Sequence, residues 1–363
     1  MRPGRGRIDK IMLGAALFIA LLGIIFVYSA TTVKGSSVAV SPLVLKQIMW
    51  VGISVAVLFL IANLEYIYVL NYAYIFYFVN IILLLAVLLF AGERYGAKRW
   101  LDLGFLSLQP SEFAKVSIIF VLAAFLGDRK ERVGSFSNFL FSLLLVGPAF
   151  LLILVQPDLG TALLLVPVLF AILLINGENI KYILGTFAIG GACMPIFWHF
   201  LKTYQKTRLT VFINPNADPL GAGYTIIQSK IAIGSGGLLG KGWLNGTQSH
   251  LKFLPERHND FIFSVIGEEW GFVGALVVIS LYAVIVIRGI KIIAGLDDVY
   301  GKVMATGFVT LIAFQVVTNI SMTVGLMPVV GIPLPLISYG GSNALAFMTG
   351  IGFLLSISRE RKR

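Results

Sequence analysis

Glu256-Arg257-His258-Asn259-Asp260-Phe261-Ile262-Phe263 is a charged and polar run that passes without a spacer into an apolar segment covering 261–287. About 20 apolar residues suffice to carry a helix across the hydrocarbon core of a bilayer. This segment is therefore read as a membrane span with an acid at its mouth. An ionisable residue in that position is costly to keep and marks a functional site by default.

Similar apolar segments fill most of the remaining chain. Ten spans are expected, at 10–32, 43–63, 69–91, 111–127, 138–155, 159–175, 180–200, 261–287, 302–325 and 337–357. Of the 363 residues 58% are hydrophobic, against about 45–50% in soluble domains, and the mean hydropathy is +0.92. Backbone groups in lipid must be satisfied inside helices. The expected fold is thus all-α, a single polytopic membrane domain over 1–363 with about ten transmembrane helices. A large extracytoplasmic loop, about 201–260, is expected between the seventh and eighth.

Lys and Arg in short loops set orientation. Arg2, Arg5, Arg7 and Lys10 precede the first span, Arg129, Lys130 and Arg132 follow the fourth, Arg288, Lys291 and Lys302 lie between the eighth and ninth, and Arg359, Arg361, Lys362 and Arg363 end the chain. With ten spans these all fall on one side, which places both termini in the cytoplasm and reads the first span as an uncleaved anchor. The rest of the +11 net charge lies on the outer side, in Arg94, Lys98, Arg99, Lys202, Lys206, Arg208, Lys230, Lys241, Lys252 and Arg257. A basic surface beside a membrane suits an anionic partner such as a phosphate. Cys193 lies alone in an apolar span, and His199, His250 and His258 lack zinc-site spacing. No organic cofactor and no nucleic-acid partner is expected.

Three constellations could carry chemistry. Glu112 and Lys115 share a helical face at the start of the fourth span, after Pro110-Ser111. They form either a structural ion pair or a substrate contact. Gln156-Pro157-Asp158-Leu159-Gly160-Thr161 is a tight turn in which Asp158 either caps the sixth helix or faces a cavity. Asp260 either caps the eighth helix or acts chemically, with Glu256, Arg257 and His258 before it and Glu268 and Glu269 inside the span. Those two acids need partners, and Lys115 is one candidate. Tyr224–Ile233 reads as an amphipathic helix lying on the membrane with Ile226, Ile227 and Ile231 toward lipid. Gly240-Lys241 does not complete a Walker loop. Asn245-Gly246-Thr247 and Asn319-Ile320-Ser321 fit the short glycosylation pattern, which is often matched by chance.

Taken in order, the blocks Gly96-Ala97-Lys98-Arg99-Trp100, Gln109-Pro110-Ser111-Glu112 with Lys115, Gln156 to Thr161, Gly223-Tyr224, Gln228-Ser229, Ala232 to Gly237, Gly240-Lys241-Gly242, Phe253-Leu254-Pro255-Glu256, His258 to Phe263 and Pro333 to Ser342 resemble the SEDS (shape, elongation, division, sporulation) family of bacterial cell-wall proteins over essentially the whole chain. Two positions depart from the family pattern. Asn259 stands where Thr is usual, and Asn343 where a small Ser is usual. Arg257 and the Gly-Ile-Pro-Leu-Pro-Leu run are closer to the rod-elongation branch than to the division branch.

The resemblance implies a peptidoglycan glycosyltransferase that polymerises lipid II, an undecaprenyl-pyrophosphate-linked disaccharide pentapeptide, at the outer face of the cytoplasmic membrane. It implies Asp260 as the catalytic carboxylate, with Glu112, Lys115 and Asp158 as cavity residues. An α-linked donor and a β-1,4 product call for one inverting displacement, with Asp260 as general base and no covalent glycosyl-enzyme. Lys98, Arg99, Lys115, Arg208, Lys241, Arg257 or His258 would meet the substrate, the cations among them offsetting the charge of the leaving pyrophosphate. A divalent cation, Mg²⁺ or Mn²⁺, held by Asp260 and Glu112, would serve the same end. The expected partner is a class B penicillin-binding protein. The alternative is a lipid II flippase, which would translocate a headgroup without making polymer. A bare scaffold is disfavoured by the buried acids.

Overall fold

The computed structural model describes residues 8–32, 41–92, 99–102, 107–200, 203–221, 223–251 and 253–360. Among them the chain forms α1 (Lys10–Thr31), α2 (Pro42–Asn63), α3 (Tyr66–Leu70), α4 (Ala73–Phe90), α5 (Pro110–Asp128), α6 (Phe136–Val155), α7 (Leu159–Ile175), α8 (Ile180–Phe200), α9 (Thr203–Ile213), α10 (Tyr224–Ser235), α11 (Thr247–His250), α12 (Ile262–Ala294), α13 (Val299–Val324) and α14 (Gly341–Glu360). Leu101–Asp102 and Ser107–Leu108 pair as a two-residue antiparallel ribbon. Eight of the described helices are long and apolar enough to cross a membrane, and the two shorter apolar helices α7 and α8 fall on the sixth and seventh expected spans.

Side chains define where these helices start. Asp9 accepts from the Met12 amide, Ser41 from Leu43 with Pro42 following it, Asp158 from Thr161, and Asp298 from Gly301. Each meets a donor that a helix leaves unpaired at its first turn. α5 is apolar almost all round and buried over nearly its whole length, against α4, α13, α14, α6 and α7. It forms the middle of the bundle, as such a helix must.

The last span begins later than expected. Residues 337–340 stay non-helical and α14 opens at Gly341. Pro333 and Pro335 lack amide donors, while the Ser338 hydroxyl and Tyr339 amide bind carbonyls of another segment. Room for this loop comes from Gly23 on α1, where a Cβ would lie 2.1 Å from the Leu336 carbonyl oxygen.

α12 is broken rather than continuous. Gly271 has φ 64° and ψ −160°, a conformation open to glycine and strained for other residues. The gap is filled by the glycine-rich segment 236–242. Lys241 and Gly242 amides donate to the Glu268 and Glu269 carbonyls at 3.0 Å each, and the Phe272 and Val273 amides donate to the Gly237 and Leu238 carbonyls at 2.9 and 3.1 Å. Two helical hydrogen bonds are thereby exchanged for four to the inserted loop. α10 forms as expected but packs differently. Ile226, Ser229 and Ala232 are buried against α12 and α13, so Ile226 faces protein rather than lipid, while Ile231 is exposed.

Candidate active site

Polar contacts sort the loops into two ends of the bundle. One end carries the Arg288–Asp9 ion pair at 2.6 Å, Tyr66 donating to Asp298 at 2.6 Å and Arg359 donating to the Ala62 carbonyl at 3.0 Å. The other end carries Asp260.

Three consecutive carbonyls fix the backbone there. The Tyr339 amide donates to His258 O at 2.9 Å, Ser338 Oγ to Asn259 O at 2.6 Å, and Asn319 Nδ2 to Asp260 O at 2.9 Å. Asn319 Nδ2 also donates to Ile332 O at 2.7 Å, and Ser338 Oγ accepts from the Leu334 amide at 2.8 Å. The proline-rich loop before α14 and the C-terminal part of α13 thus hold the segment that positions Asp260. A Cβ at Gly331 would lie 3.4 Å from Asp260 Oδ2, so the carboxylate faces the start of that loop.

Asp260 is recessed yet keeps an open face. Desolvation raises its pKa from 3.8 to about 6; Glu256 and Asp158 add to the rise, and Arg208 and Arg99 oppose it. Arg208 comes from α9. Arg99 lies across the α6–α7 turn, donating from Nε to Gln156 O at 3.3 Å and from a terminal nitrogen to Pro157 O, with Nη1 3.9 Å from Asp158 Oδ1. Asp158 is buried and occupied. Oδ1 caps α7, and Oδ2 accepts from Ser111 Oγ and Gln109 Nε2 at 3.1 Å each. His258 packs its ring toward Tyr339; burial lowers its pKa, Glu256 opposes this and Arg257 adds to it.

Glu112 and Lys115 form a buried pair at 2.9 Å. Lys115 Nζ also donates to Gln315 Oε1 at 3.3 Å, Asn343 Nδ2 donates to Glu112 Oε2 at 2.9 Å, and Gln315 Nε2 donates to Pro333 O at 3.1 Å. The pair therefore ties α5 to α13, α14 and the loop that grips Asp260.

The expectation that Lys115 answers Glu268 or Glu269 is corrected. Glu268 is fully buried and takes Lys241 Nζ at 2.9 Å, the Gln248 amide at 2.8 Å and the Ser249 amide at 3.2 Å. Glu269 accepts from Ser29 Oγ at 2.5 Å. Lys115 is drawn away because Glu112 is one turn behind it on the same helix face. Arg257 donates to Ala30 O at 2.5 Å and to Ser249 O, and burial lowers its pKa. Lys241, Glu268 and Arg257 together latch the inserted loop to α1 and α12.

The structure thus brings Arg99, Arg208 and Asp158 to Asp260 and sets Glu112–Lys115 behind the same loop. It places Lys241 and Arg257 in the latch. Lys98, like Arg94, Lys202 and Lys252, lies outside the described residues. The sequence reading gives no site role to Asn319, Ser338 or Gln315. Asn319 was noticed only as a glycosylation pattern, yet it is fully buried. The available signal was two amides four residues apart in an apolar span, which need partners there. Among the described residues no group of three or more His, Cys, Asp or Glu gathers for a metal ion. Both Glu112 oxygens are already bonded, whereas Asp260 with Glu256 near it suits the looser arrangement in which one or two carboxylates share Mg²⁺ with substrate phosphates.

Known proteins share this fold. The FtsW/RodA/SpoVE family model, described as a cell cycle protein, matches residues 9–363. Peptidoglycan glycosyltransferase MrdB of Escherichia coli (strain K12) is 41% identical over 355 residues, spanning 98% of this chain and 95% of the relative. A chain solved in work on the structural coordination of polymerization and crosslinking by a peptidoglycan synthase complex superposes with a TM-score of 0.82 at 32% identity, covering 98% of this chain and 99% of that one. The Thermus thermophilus rod shape determining protein RodA superposes at 0.73 with 29% identity, covering 98% of each chain.

Proposed function

The chain belongs to the FtsW/RodA/SpoVE family, the SEDS family whose motifs it carries, and on that premise we propose that it is a peptidoglycan glycosyltransferase. It extends β-1,4 glycan strands from lipid II at the outer face of the cytoplasmic membrane during cell elongation. The observation that carries this reading is Asp260, backbone-locked at three carbonyls, recessed, and flanked by Arg99 and Arg208.

The chemistry follows from those groups. Asp260 accepts the proton of the acceptor sugar's 4-hydroxyl as that oxygen forms a bond to the donor's anomeric carbon. The bond from that carbon to the pyrophosphate oxygen breaks, and its electron pair leaves with the pyrophosphate. A carboxylate whose pKa lies near 6 holds a proton better than an ordinary aspartate, and a positioned base contributes about 10²–10⁴-fold. Arg99 and Arg208 offset the charge on the departing group, an electrostatic contribution of the oxyanion-hole kind. One displacement inverts the centre, so no second carboxylate nucleophile is needed. Mg²⁺ or Mn²⁺ bound at Asp260 would supply further charge compensation.

Both termini are assigned to the cytoplasm from the Lys and Arg distribution, with ten crossings and Asp260 on the periplasmic side. The partner is a class B penicillin-binding protein, whose single transmembrane helix would lie against α12 and α13. Transport of lipid II receives less support. The charged groups of the candidate site gather at one end, and between the two ends lies an apolar core. The test incubates purified chain with lipid II, with and without the partner, and resolves glycan on gels. Glycan supports the reading; headgroup translocation in liposomes without glycan would support transport instead.

A further inference from the structure

Beside Asp260 stand two polar rings that the displacement itself does not use. Tyr339 and His258 are half-buried, with ring centroids 6.0 Å apart and planes 56° apart. Among the described residues neither the Tyr339 hydroxyl nor the His258 imidazole enters a hydrogen bond or an ion pair. The three buried tyrosines of this fold behave differently. Tyr66 donates to Asp298 at 2.6 Å, Tyr77 to Leu145 O at 2.8 Å, and Tyr282 to Pro335 O in the loop that leads to Tyr339. Withdrawing a polar group from water without a partner is costly. An idle phenol against an idle imidazole, both beside the reacting carboxylate, therefore marks a place for a ligand's polar groups.

Both rings project from backbone that is already fixed. The Tyr339 amide donates to His258 O at 2.9 Å and ties the two residues together. On either side of Tyr339, Ser338 O accepts from Gln47 Nε2 and the Gly340 amide donates to Gln47 Oε1, each at 3.4 Å. Residues 334–338 are buried, and Tyr339 is the first residue after them to keep an open face. Such support from neighbouring contacts is what a binding group needs to be held in place before its ligand arrives. The rings approach Asp260 from the proline-rich loop and from its own chain segment, through Tyr339 to His258 and Ser338 to Asn259. Arg99 and Arg208 reach it from other elements, the α6–α7 turn and α9.

The two sets of groups suit different parts of a substrate. A guanidinium only donates, and it matches phosphate oxygens. A phenol and an imidazole each donate and accept, as sugar hydroxyls do. We propose that Tyr339 and His258 bind the acceptor sugar through hydroxyls flanking the 4-hydroxyl that Asp260 deprotonates. The proposal rests on the glycosyltransferase reading. These contacts orient the attacking oxygen toward Asp260, and the donor's pyrophosphate is left to the arginines.

The test separates acceptor from donor. Lipid II methylated at its 4-hydroxyl can only donate, and lipid II with CH2 in place of its anomeric oxygen can only accept, so the pair couples once. Tyr339→Phe and His258→Phe should each raise KM for the acceptor about tenfold, the upper end of what one neutral hydrogen bond contributes, and leave KM for the donor unchanged. A merely structural role would move both KM values together, or kcat alone. Acceptors lacking the 3- or the 6-hydroxyl then identify the bonded group. At least one of them should weaken wild type about tenfold while hardly weakening the variant that has lost its partner. An unchanged acceptor KM in either variant, or losses that simply multiply for both deoxy acceptors, overturns the proposal. A wild-type chain that couples no pair counts against the glycosyltransferase reading. Calorimetric binding of the accept-only analogue to wild type and Tyr339→Phe then decides the ring pair, with about tenfold weaker binding by the variant expected and equal affinities contradicting it.

Discussion

Neutralising one member of the Glu112–Lys115 pair should be far more damaging than neutralising both. The side chains are 4% and 2% exposed and 2.9 Å apart. At an effective dielectric of about 20, charges at that separation of 2.9 Å attract by roughly 6 kcal/mol, most of it spent on desolvation. Glu112→Gln leaves Lys115 facing only Gln315, and Lys115→Met leaves Glu112 facing only Asn343. Each strands a buried charge, with an expected loss of about 3–5 kcal/mol. In Glu112→Gln/Lys115→Met no charge remains, the new amide can still meet Asn343, and the loss should fall below that of either single variant. Equilibrium SDS denaturation in mixed micelles measures all four proteins, and the cycle isolates the coupling. Costs that simply add, or single variants that lose less than about 1 kcal/mol, would refute the claim that these residues are paired in a desolvated interior.

Other perturbations have equally definite outcomes. The polymerisation rate should rise with pH through an apparent pKa near 6, because protonated Asp260 cannot accept a proton; a flat profile from pH 5 to 7 would contradict this. Stability carries the opposite sign. A carboxyl raised above its unfolded value stabilises the fold while protonated and loses that contribution as pH rises through about 6, so the denaturation midpoint should drop across that window in wild type and not in Asp260→Asn. Asn319→Leu removes the donor to the Asp260 and Ile332 carbonyls and should lower kcat more than KM at a stability cost of about 1–3 kcal/mol. In Gly271→Ala, the new Cβ would lie 2.3 Å from the Gly240 nitrogen at a φ of 64°. That should expel the inserted loop and expose 236–250 to limited proteolysis.

The membrane fold was legible because span length and apolar composition follow directly from the thickness of hydrocarbon. Glu112 and Lys115 were legible as a pair because three residues separate them on one helix. The grip on Asp260 was not, since Asn319, Ser338 and Tyr339 meet it from 59 to 81 residues away along the chain, and sequence order carries no record of such long-range contacts. The glycines at 236, 237, 240 and 242 read only as members of family-like blocks, with no evident target. Their role becomes visible only opposite the break at Gly271, where backbone docks against backbone. Lys241 and Arg257 looked like outer cations available to a phosphate. Each instead spends its charge on Glu268 or on backbone carbonyls, a choice set by which atoms the fold brings within 3 Å.

The central claim is that Asp260 removes the proton in glycan extension. Glycan formation from purified lipid II by wild-type chain and by Asp260→Asn, each assayed with and without the proposed partner and each shown to be folded by its denaturation midpoint, tests it most directly. A stable Asp260→Asn protein that makes no detectable polymer is the result expected. Polymer from that variant within a few-fold of wild type would contradict it.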